Sequence, residues 1–384
     1  MASSAPTPIE APKISPIDAT HMRAALALAG RGLGRTWPNP SVGCLLVRHD
    51  GSAGGQVVGR GWTQPGGRPH AETEALRRAG EAARGATAYV SLEPCAHTGK
   101  TPPCADALIA AGVSRVVAAI EDPDSRVSGR GLARLREAGI PVDLGACAAE
   151  ASELNAGFFL RVREGRPLVS LKLATSLDGR IATGSGESKW ITGEAARQRA
   201  HLLRARHDAI MIGAGTAVAD DPELTCRLPG LTGWSPVRVV LDGRGRLPLS
   251  SKVLSTARNV PTWLVTARGG DAAHREALGR LGVEVIEVDG EAGRLPLDAV
   301  VRALGNRGIT RLLVEGGSKL AGEFLGAGLV DRAYWFRAAS VIGGDGLPAA
   351  AAFGIIRLQD AARFQRLDVT PLGNDVLETY GPVP

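Results

Sequence analysis

The chain has 384 residues, of which 44% are hydrophobic, an ordinary composition for a globular protein of two or three domains. Its net charge is +6 without a run of five consecutive Lys or Arg, which fits an enzyme of anionic small molecules at least as well as a nucleic-acid binder. Five cysteines are too few for a disulfide scaffold, and no stretch of about 18 apolar residues could span a membrane.

The first 16 residues are rich in proline and serine and lack the apolar segment of a signal peptide. We expect a disordered tail over residues 1–16 and a cytoplasmic protein, since free thiols persist in that compartment. The patterns that follow predict a first domain over residues 17–150, a connector over 151–166 and a second domain over 167–384.

The first domain begins with a helical pattern from Ile17, with Asp18 or Thr20 as its cap and Gly32 or Gly34 as its end. Strands are predicted at VGCLLV and QVVGRGW, followed by a helix in HAETEALRRAG. The next segments alternate: ATAYVSLEP is a strand, CADALIAAG a helix, SRVVAAIEDP a strand, GRGLARLREAG a helix and IPVDLGA a strand. This alternation predicts a three-layer α/β domain.

The second domain restarts the alternation with a different pattern. AEASELNAGFFLRVREGRP is predicted to be a helix followed by a connector near Glu164 to Pro167, and PLVSLKLATSLDGRIA begins with a strand and a turn. A helix and a strand lead to GAGTAVADDPELTCR, which is predicted to be a loop. Four further strands are RVVLDGRGRLP, TWLVTA, VEVIEV and RLLVEGG. The halves show no internal repeat, so we expect two different α/β domains.

One imidazole and two thiols of the first domain form a candidate metal site, namely His70, Cys95 and Cys104. A catalytic zinc ion takes three protein ligands and leaves its fourth position to water. Glu72 would then carry protons between that water and a substrate. The alternative is a closed structural site in which His97 supplies the fourth ligand.

Zinc deaminases carry HxE followed by PCxxC. This chain has HAE, but eight residues separate its two cysteines in EPCAHTGKTPPC. With TWPNPSVGC, GRGW and EDP, this longer loop resembles the RibD family of bifunctional riboflavin biosynthesis enzymes. The resemblance extends from about residue 18 to 380 and includes the order of the two domains.

The resemblance implies a cytidine-deaminase-like first domain and a dihydrofolate-reductase-like second domain. The first would deaminate 2,5-diamino-6-ribosylamino-4(3H)-pyrimidinone 5′-phosphate, with one zinc ion on His70, Cys95 and Cys104 and with Glu72 as proton carrier. Asn39 would contact the substrate, although an asparagine between two prolines also suits an ordinary turn.

The second domain would use NADPH to reduce the ribosyl chain of 5-amino-6-(5-phosphoribosylamino)uracil to ribityl. LKLATSLDGRIA, SGESKWIT and LLVEGGSKLAGEFL are among the segments that carry this part of the resemblance. The cofactor-binding residues that it implies are Ala174, Trp190, Thr216, Asp220, Gly243, Gly317, Ser318, Lys319, Leu320, Ala321, Gly322 and Glu323. The substrate-binding residues that it implies are Ser188, Arg204, Leu224, Arg227 and Glu315.

Elementary chemistry supports part of this set. In VEGGSKLAGEFL, two glycines and a helix start can bring backbone amides to a phosphate, but the segment is not GxGxxG and also fits a plain strand-to-helix turn. Arg204 and Arg227 suit a substrate phosphate or are solvated surface charges. Trp190 could instead belong to the core.

Two points stay open within the reductase half. Gly243 stands where the family often has serine, so only its backbone is expected to reach the cofactor, and Arg244 or Arg246 could compensate. The proton source for the reduction is not evident. Asp178 and Asp220 are candidates, and each could equally cap a turn.

Two alternative functions are a nucleic-acid base deaminase and a family member with an inactive reductase half. The positive net charge suits the first, but an aromatic content of 4% offers few rings for base stacking. The expected partners are small phosphorylated pyrimidines, with no nucleic acid and no membrane. The resemblance also implies a homo-oligomer, a dimer or larger.

Overall fold

The computed structural model describes residues 14–49, 51–52, 54–97, 102–125, 127–290 and 294–383. The chain divides into two compact units: one runs to Gly32 and resumes over Asn39–Ala156, and the other comprises Leu33–Pro38 and the chain from Gly157 onward. Residues 1–13 of the predicted tail lie outside the described residues. Its last two residues, Ser15 and Pro16, are the cap and the first residue of a helix. No helix in the described ranges is long and apolar enough to cross a membrane.

The first unit is a five-stranded sheet with helices on both faces. Its strands are β1 (Gly43–Arg48), β2 (Gln56–Trp62), β3 (Thr87–Val90), β4 (Arg115–Ala118) and β5 (Val142–Leu144). Its helices are α1 (Pro16–Ala29), α2 (Ala71–Ala79), α3 (Cys104–Ala110), α4 (Arg130–Glu137) and α5 (Ala148–Leu154). The strand order is β2-β1-β3-β4-β5, antiparallel at β1 and parallel from β3 to β5.

Glycines place the helices on opposite faces of this sheet. A Cβ on Gly43 would overlap the carbonyl oxygen of Ala25 in α1. The next strand residue, Cys44, points to the other face, and its partner Gly61 lies against Ala71 of α2. The three-layer α/β prediction for this half is therefore confirmed.

The predicted cap and end of α1 are both wrong. Ser15, and not Asp18 or Thr20, caps the helix, because its hydroxyl accepts the N–H of Asp18 at 3.1 Å and the Asp18 carboxylate accepts the N–H of Ser15 in return. Pro16 fits the first turn, where no intrahelical donor is needed. The helix ends at Ala29, before either of the predicted glycines.

The second unit contains a nine-stranded sheet and a separate two-stranded ribbon. The strands are β6 (Leu168–Thr175), β7 (Arg180–Ala182), β8 (Ala209–Gly213), β9 (Val237–Leu241), β10 (Thr262–Ala267), β11 (Glu284–Val288), β12 (Arg311–Val314), β13 (Arg332–Arg337), β14 (Leu347–Pro348), β15 (Phe364–Leu372) and β16 (Asp375–Pro382). The helices are α6 (Ala156–Glu164), α7 (Glu194–Ala205), α8 (Ala214–Asp220), α9 (Lys252–Ser255), α10 (Ala272–Leu281), α11 (Leu297–Asn306) and α12 (Ser318–Gly326).

The large sheet has the order β11-β10-β9-β8-β12-β6-β13-β16-β15, and β7 pairs with β14. Strands from β11 to β13 are parallel, whereas β16 is antiparallel to β13 and β15. Apolar side chains such as Val169, Leu171, Met211 and Leu312 are buried between this sheet and its helices. The carboxyl ends of the parallel strands share one edge, where α/β folds bind ligands.

Three local predictions for this half differ from the structure. The loop predicted after β8 begins with the helix α8. The single helix predicted before β6 is two helices, α5 and α6, which cover most of the predicted connector. The strands β13, β15 and β16 were not predicted.

Candidate functional sites

Three side chains of the first unit converge at one point. A ring nitrogen of His70 and the sulfurs of Cys95 and Cys104 all lie within 4.8 Å of one another. Nδ1 of His70 is 3.3 Å from the Cys104 sulfur and 3.7 Å from the Cys95 sulfur. Ligands of a tetrahedral zinc ion stand about 3.3–3.8 Å apart, and both distances from His70 to the sulfurs fall in that range, so the three residues fit this metal.

The cluster already favours a thiolate. The hydrogen bond with Cys104 lowers the pKa of the Cys95 thiol to about 4, and the backbone N–H of Cys104 also points at the Cys95 sulfur, 3.3 Å away. The same interaction raises the pKa of the Cys104 thiol, which holds its proton more firmly than Cys95 does. Thiolate is the form that binds zinc, and metal binding releases the remaining proton.

Glu72 lies beside the cluster in the first turn of α2 and is only 3% exposed. Burial raises the pKa of Glu72 to about 7, although the neighbouring His70 lowers it. A carboxyl group with a pKa near neutrality can both accept and return a proton, which a general acid–base catalyst requires.

The GRGW segment explains how α2 is placed. A Cβ on Gly61 would overlap the carbonyl oxygen of Ala71, and one on Gly59 would press on that of Ala75. Both glycines therefore let α2 lie directly on β2, which sets the position of His70 and Glu72 at its start. The sequence showed GRGW as part of a family resemblance, and the helix contact supplies its physical reason.

Two further residues considered for this half lie outside the ligand cluster. His97 is half-buried, and its Nδ1 has no hydrogen-bond partner among the described residues, but it does not join the three ligand atoms. The closed four-ligand alternative therefore lacks its fourth ligand in this geometry. The Asn39 side chain lies against Gly67, where a Cβ would overlap its amide.

In the second unit, the start of α12 has the properties of a phosphate site. The N–H of Gly317 donates to Oγ1 of Thr216 at 3.0 Å, which joins the starts of α8 and α12. Within the described chain, no side chain caps α12, and the buried Oγ of Ser318 has no hydrogen-bond partner. Free amides and an unpartnered hydroxyl at a helix start fit a phosphate group of NADPH.

The buried residues in the rest of the predicted cofactor segment could reach a cofactor only with backbone atoms. Leu320, Ala321 and Gly322 are buried. Lys319 is 83% exposed, and its Nζ lies 3.9 Å from a carboxylate oxygen of Glu323.

The alternative prediction that Arg204 is a solvated surface charge is wrong. Its side chain is 15% exposed and donates to both carboxylate oxygens of Glu315, at 2.8 and 2.9 Å. Although burial raises the pKa of Glu315, Arg204 lowers it to about 2. Arg204 also donates to the carbonyl oxygen of Thr225 at 3.0 Å.

Sequence reasoning missed Lys172, whose Nζ lies 3.9 Å from Glu315. Burial lowers the pKa of Lys172. A lysine inside the mostly buried, largely apolar strand LVSLKLAT was the available signal, because lysine is rarely buried without a partner.

The loop after α8 holds two predicted substrate residues. Leu224 is 3% exposed and has the left-handed φ of +57°. The buried Arg238 donates to the carbonyl oxygen of Glu223, so arginines fix the backbone on either side of Leu224. Arg227 is half-exposed and lies 3.4 Å from the Glu223 carboxylate, which leaves its guanidinium near solvent.

The segment around Trp190 is exposed. Trp190 is 68% exposed, so the alternative of a core tryptophan is wrong, and the Arg197 guanidinium lies 4.8 Å from its ring centroid. Ser188 nearby and Ala174 near the end of β6 are half-buried, and Asp220 ends α8 at the surface.

Asp178 has the role of a turn residue. Its carboxylate accepts the hydroxyl of Ser176 at 2.6 Å and the N–H groups of Ile342 and Gly343 at 3.1 and 2.8 Å. The Ser176 hydroxyl and these amides lower the pKa of Asp178 to about 2. An ionised carboxylate is a poor proton donor, so the turn alternative is favoured over the proton source.

Gly243 lines a cavity of about 320 Å³ at the carboxyl ends of β9 and β10. Arg244, Arg268 and His274 also line it. Nε2 of His274 is buried there without a hydrogen-bond partner among the described residues. Cationic groups and an unpartnered ring nitrogen suit an anionic ligand.

Two family profiles match this chain. Residues 15–120 match the cytidine and deoxycytidylate deaminase zinc-binding region, and residues 167–377 match the RibD C-terminal domain. The chain is 42% identical to the riboflavin biosynthesis protein RibD of Escherichia coli over 370 residues, which cover 94% of this chain and 98% of that protein. RibD of Bacillus amyloliquefaciens is 42% identical over 363 residues, covering 94% and 95%.

Solved structures agree over nearly the full length. Acinetobacter baumannii RibD superposes with a TM-score of 0.85 and 41% identity, covering 96% of this chain and 99% of the other. A diaminohydroxyphosphoribosylaminopyrimidine deaminase/5-amino-6-(5-phosphoribosylamino)uracil reductase of Thermotoga maritima gives a TM-score of 0.83 and 35% identity with the same coverage. The chain therefore belongs to the RibD family, and it is a bifunctional enzyme of riboflavin biosynthesis with a zinc-binding deaminase half and an NADPH-dependent reductase half.

Proposed function

We propose that the first unit deaminates 2,5-diamino-6-ribosylamino-4(3H)-pyrimidinone 5′-phosphate, and that the second unit reduces the ribosyl chain of the product, 5-amino-6-(5-phosphoribosylamino)uracil. The observation that carries the proposal is the cluster of His70, Cys95 and Cys104 beside the buried Glu72. The naming of the Thermotoga relative supports these substrates.

In the deaminase half, His70, Cys95 and Cys104 hold the zinc ion, and Glu72 moves the protons. The bound zinc ion supplies a water whose pKa is lowered toward neutrality. Glu72 would take one proton from the attacking water and pass it to the ring nitrogen. It would then take the proton of the resulting hydroxyl and give it to the amine, which leaves as ammonia. Asn39 orients the substrate at the edge of this site.

In the reductase half, the starts of α8 and α12 hold the cofactor. Thr216 and the free backbone N–H groups in the first turn of α12, from Ser318 to Leu320, bind its phosphates, with Ser318 Oγ as a donor. Gly317 and the residues from Ala321 to Glu323 complete that segment. Ala174, Trp190, Asp220 and the backbone of Gly243 complete the cofactor contacts. The NADPH supplies the hydride, and the protein's task is to hold the opened sugar against it.

Five residues bind the substrate of the reduction: Ser188, Arg204, Leu224, Arg227 and Glu315. Arg204 is neutralised by Glu315, so the exposed Arg227 is the better partner for the 5′-phosphate. Glu315 and Arg204 then orient polar groups of the pyrimidine or the ribityl chain.

The decisive variant is Glu72→Gln in the full-length chain. It removes the proton carrier and keeps the shape, so deamination falls by roughly 10²–10⁴-fold. Reduction of supplied 5-amino-6-(5-phosphoribosylamino)uracil continues, and one zinc ion per chain is retained, since the ligand cluster is intact. Both half-reactions are measured separately by product chromatography and NADPH consumption.

Glu74→Gln is the matched control, because Glu74 lies on the same helix and pairs with Arg77 instead of the cluster. It should leave deamination unchanged. Unimpaired deamination in Glu72→Gln would reject the assigned role. Accumulation of the unreduced uracil compound by the wild-type protein with NADPH would reject the bifunctional assignment and favour an inactive reductase half.

We also propose a homo-oligomer that forms through the second unit. β15 is an edge strand of the nine-stranded sheet, and its Leu367 and Val369 are 48% and 45% exposed. An edge with exposed apolar residues is suited to pairing with a second copy. Sedimentation velocity should show a dimer or larger, and a monomer at micromolar concentration would contradict this.

A cytoplasmic location is proposed on the state of the cysteines. All five are free thiols, including two that do not belong to the zinc cluster and are fully buried, Cys44 and Cys226. Free thiols persist in a reducing compartment. Cell fractionation that placed the protein outside the cytoplasm would reject this location.

A further inference from the structure

A buried carboxylate two residues before the metal cluster has no role in the chemistry described above. Glu93 is 4% exposed, and its two oxygens accept four backbone N–H groups. The donors are Asp122 at 3.2 Å, Gly129 at 2.9 Å, Gly131 at 2.8 Å and Leu132 at 3.3 Å. Four amides on one carboxylate make a rigid attachment, because hydrogen bonds to a charged group are the stronger kind.

Those amides belong to the first turn of α4 and the loop that leads into it. Gly129 is the N-cap of α4, and its backbone has the left-handed φ of +76°. A glycine has no side chain to cap the helix, so the carboxylate of Glu93 satisfies the first amides instead. Its negative charge also complements the positive end of the helix.

A second contact ties the same segment to α4. A Cβ on Gly131 would overlap the carbonyl oxygen of Pro94, so the first turn of the helix lies directly on the peptide between Glu93 and Cys95. The N–H of Glu93 donates to the carbonyl oxygen of Ile120 at 2.9 Å. Cys95 itself lies after the end of β3, so no strand pairing holds its backbone. Its carbonyl oxygen accepts the N–H of Ala105 at 3.2 Å.

We propose that Glu93 is a positioning residue for the metal site: by capping α4 it places Pro94 and Cys95, and thereby sets where the second ligand sulfur stands. The inference rests on the proposed zinc ligands. A metal site needs its ligands within about 0.5 Å of the required geometry, and the groups that orient them control affinity. The same carboxylate binds the amides of Asp122, Gly129, Gly131 and Leu132, so it joins the segment of the ligand to the start of α4.

The test uses the full-length chain with Glu93→Gln. Glutamine keeps the size, but it removes the charge and turns an NH₂ group toward N–H donors. Zinc affinity, measured by competition with a chromogenic chelator, should fall roughly 10–100-fold. The cobalt-substituted protein should show a weaker thiolate-to-metal absorption band, since the Cys95 sulfur no longer stands in place.

Three comparisons make the result specific. Glu121→Gln lies in the same loop, where its carboxylate accepts the Ser128 hydroxyl at 3.4 Å, and it should bind zinc as the wild type does. Gly131→Ala displaces the Pro94 carbonyl and crowds the Glu93 carboxylate, whose Oε1 would lie 3.2 Å from the new Cβ, and it should reproduce the loss of zinc affinity. The thermal unfolding transition of the first unit reports that each variant is folded.

Wild-type zinc affinity and an unchanged cobalt spectrum in both Glu93→Gln and Gly131→Ala would overturn the proposal, even if both variants were less stable. If Glu93→Gln does not fold, Glu93→Asp decides, because it keeps the charge and withdraws the carboxylate by one methylene. Weaker zinc binding by a folded Glu93→Asp supports the proposal, and wild-type binding rejects it. A wild-type protein that binds no zinc would reject the proposed ligands themselves.

Discussion

At the residue scale, the ion pair between Arg204 and Glu315 is the strongest electrostatic feature of the reductase half. Both side chains are buried, and two hydrogen bonds join them in parallel. Burying two charges is costly, and the paired geometry helps to offset the cost together with a further Arg204 N–H that donates to the Thr225 carbonyl. The pair therefore ties α7, the end of β12 and the loop with Leu224 to one another.

The depressed pKa of Glu315 predicts how the stability of this half depends on pH. Its pKa is about 2 in the folded protein against an ordinary 4.5, so the ionised form stabilises the fold. This contribution to the free energy of unfolding is complete above about pH 4.5 and is lost as the pH falls toward 2. Each unit of difference between the folded and unfolded pKa corresponds to about 1.4 kcal/mol. We expect Glu315→Gln to lose less stability than the wild type between pH 4.5 and 2, because the variant has no carboxylate to protonate at this position.

Denaturant unfolding at several pH values measures this difference. Glu276→Gln is the control, because Glu276 forms an exposed pair with Arg280 on α10, and exposed pairs contribute little. Equal pH slopes for Glu315→Gln and the wild type would contradict the prediction.

At the scale of elements, the contact between α2 and β2 determines the deaminase site. Gly61 brings the strand against the first turn of α2, from which Glu72 projects and which His70 precedes. At this edge of the sheet, the ring of Trp62 in β2 lies 4.9 Å from the Arg78 guanidinium of α2. A side chain at Gly61 must therefore displace the start of the helix.

We predict that Gly61→Ala destabilises the first unit by about 1–3 kcal/mol, the usual result of overpacking. It should also weaken zinc binding and deamination while reduction is unchanged, because the helix start moves away from the two cysteines. Thermal unfolding and zinc titration measure the two effects.

Gly54→Ala is the matched control for this element. A Cβ at Gly54 meets no atom within 4 Å among the described residues, so the variant should resemble the wild type. Zinc affinity in Gly61→Ala equal to that of Gly54→Ala would show that the close approach does not position the ligands.

At the scale of the whole molecule, the boundary between the units is not a single point in the sequence. Residues 33–38 belong to the second unit although the chain on both sides of them belongs to the first. Trp37 packs against the main core of the second unit, edge-on to Trp263 at 6.3 Å. Arg35 lies 4.3 Å from the ring centroid of Trp234.

Trp37→Ala should therefore destabilise the reductase half, on the order of 2 kcal/mol for a partly buried tryptophan. Calorimetry can assign the transitions, since NADPH raises the unfolding temperature of the unit that binds it and a chelator lowers that of the zinc unit. We expect the NADPH-sensitive transition to move.

Trp62→Ala should have the opposite pattern, because Trp62 stacks with Arg31 and Arg78 inside the first unit. A shift of the zinc-dependent transition alone in Trp37→Ala would contradict the assignment of residues 33–38 to the second unit.

Elements whose sequences carry strong local patterns could be predicted from the sequence alone. The strands β1 and β2 and the helices α2 and α3 lie where apolar runs, glycines and polar helix starts indicated them. In contrast, β15 is exposed along most of its length, and its short alternation at Leu367 and Val369 does not mark a buried face. The cap of α1 was misplaced because Ser15 stands in a segment whose composition resembles a tail.

The sequence by itself determined the chemistry of the metal site, because zinc selects residue types and the spacing of HAE and EPCAHTGKTPPC places them in one domain. It also indicated the glycine-flanked start of α12. Only the tertiary structure decided three contacts between distant parts of the chain. The Glu93 carboxylate binds the start of α4, Arg204 pairs with Glu315, and Trp37 packs against the core of the second unit. These contacts join residues far apart in the chain, and such pairings leave no periodic signal in one sequence.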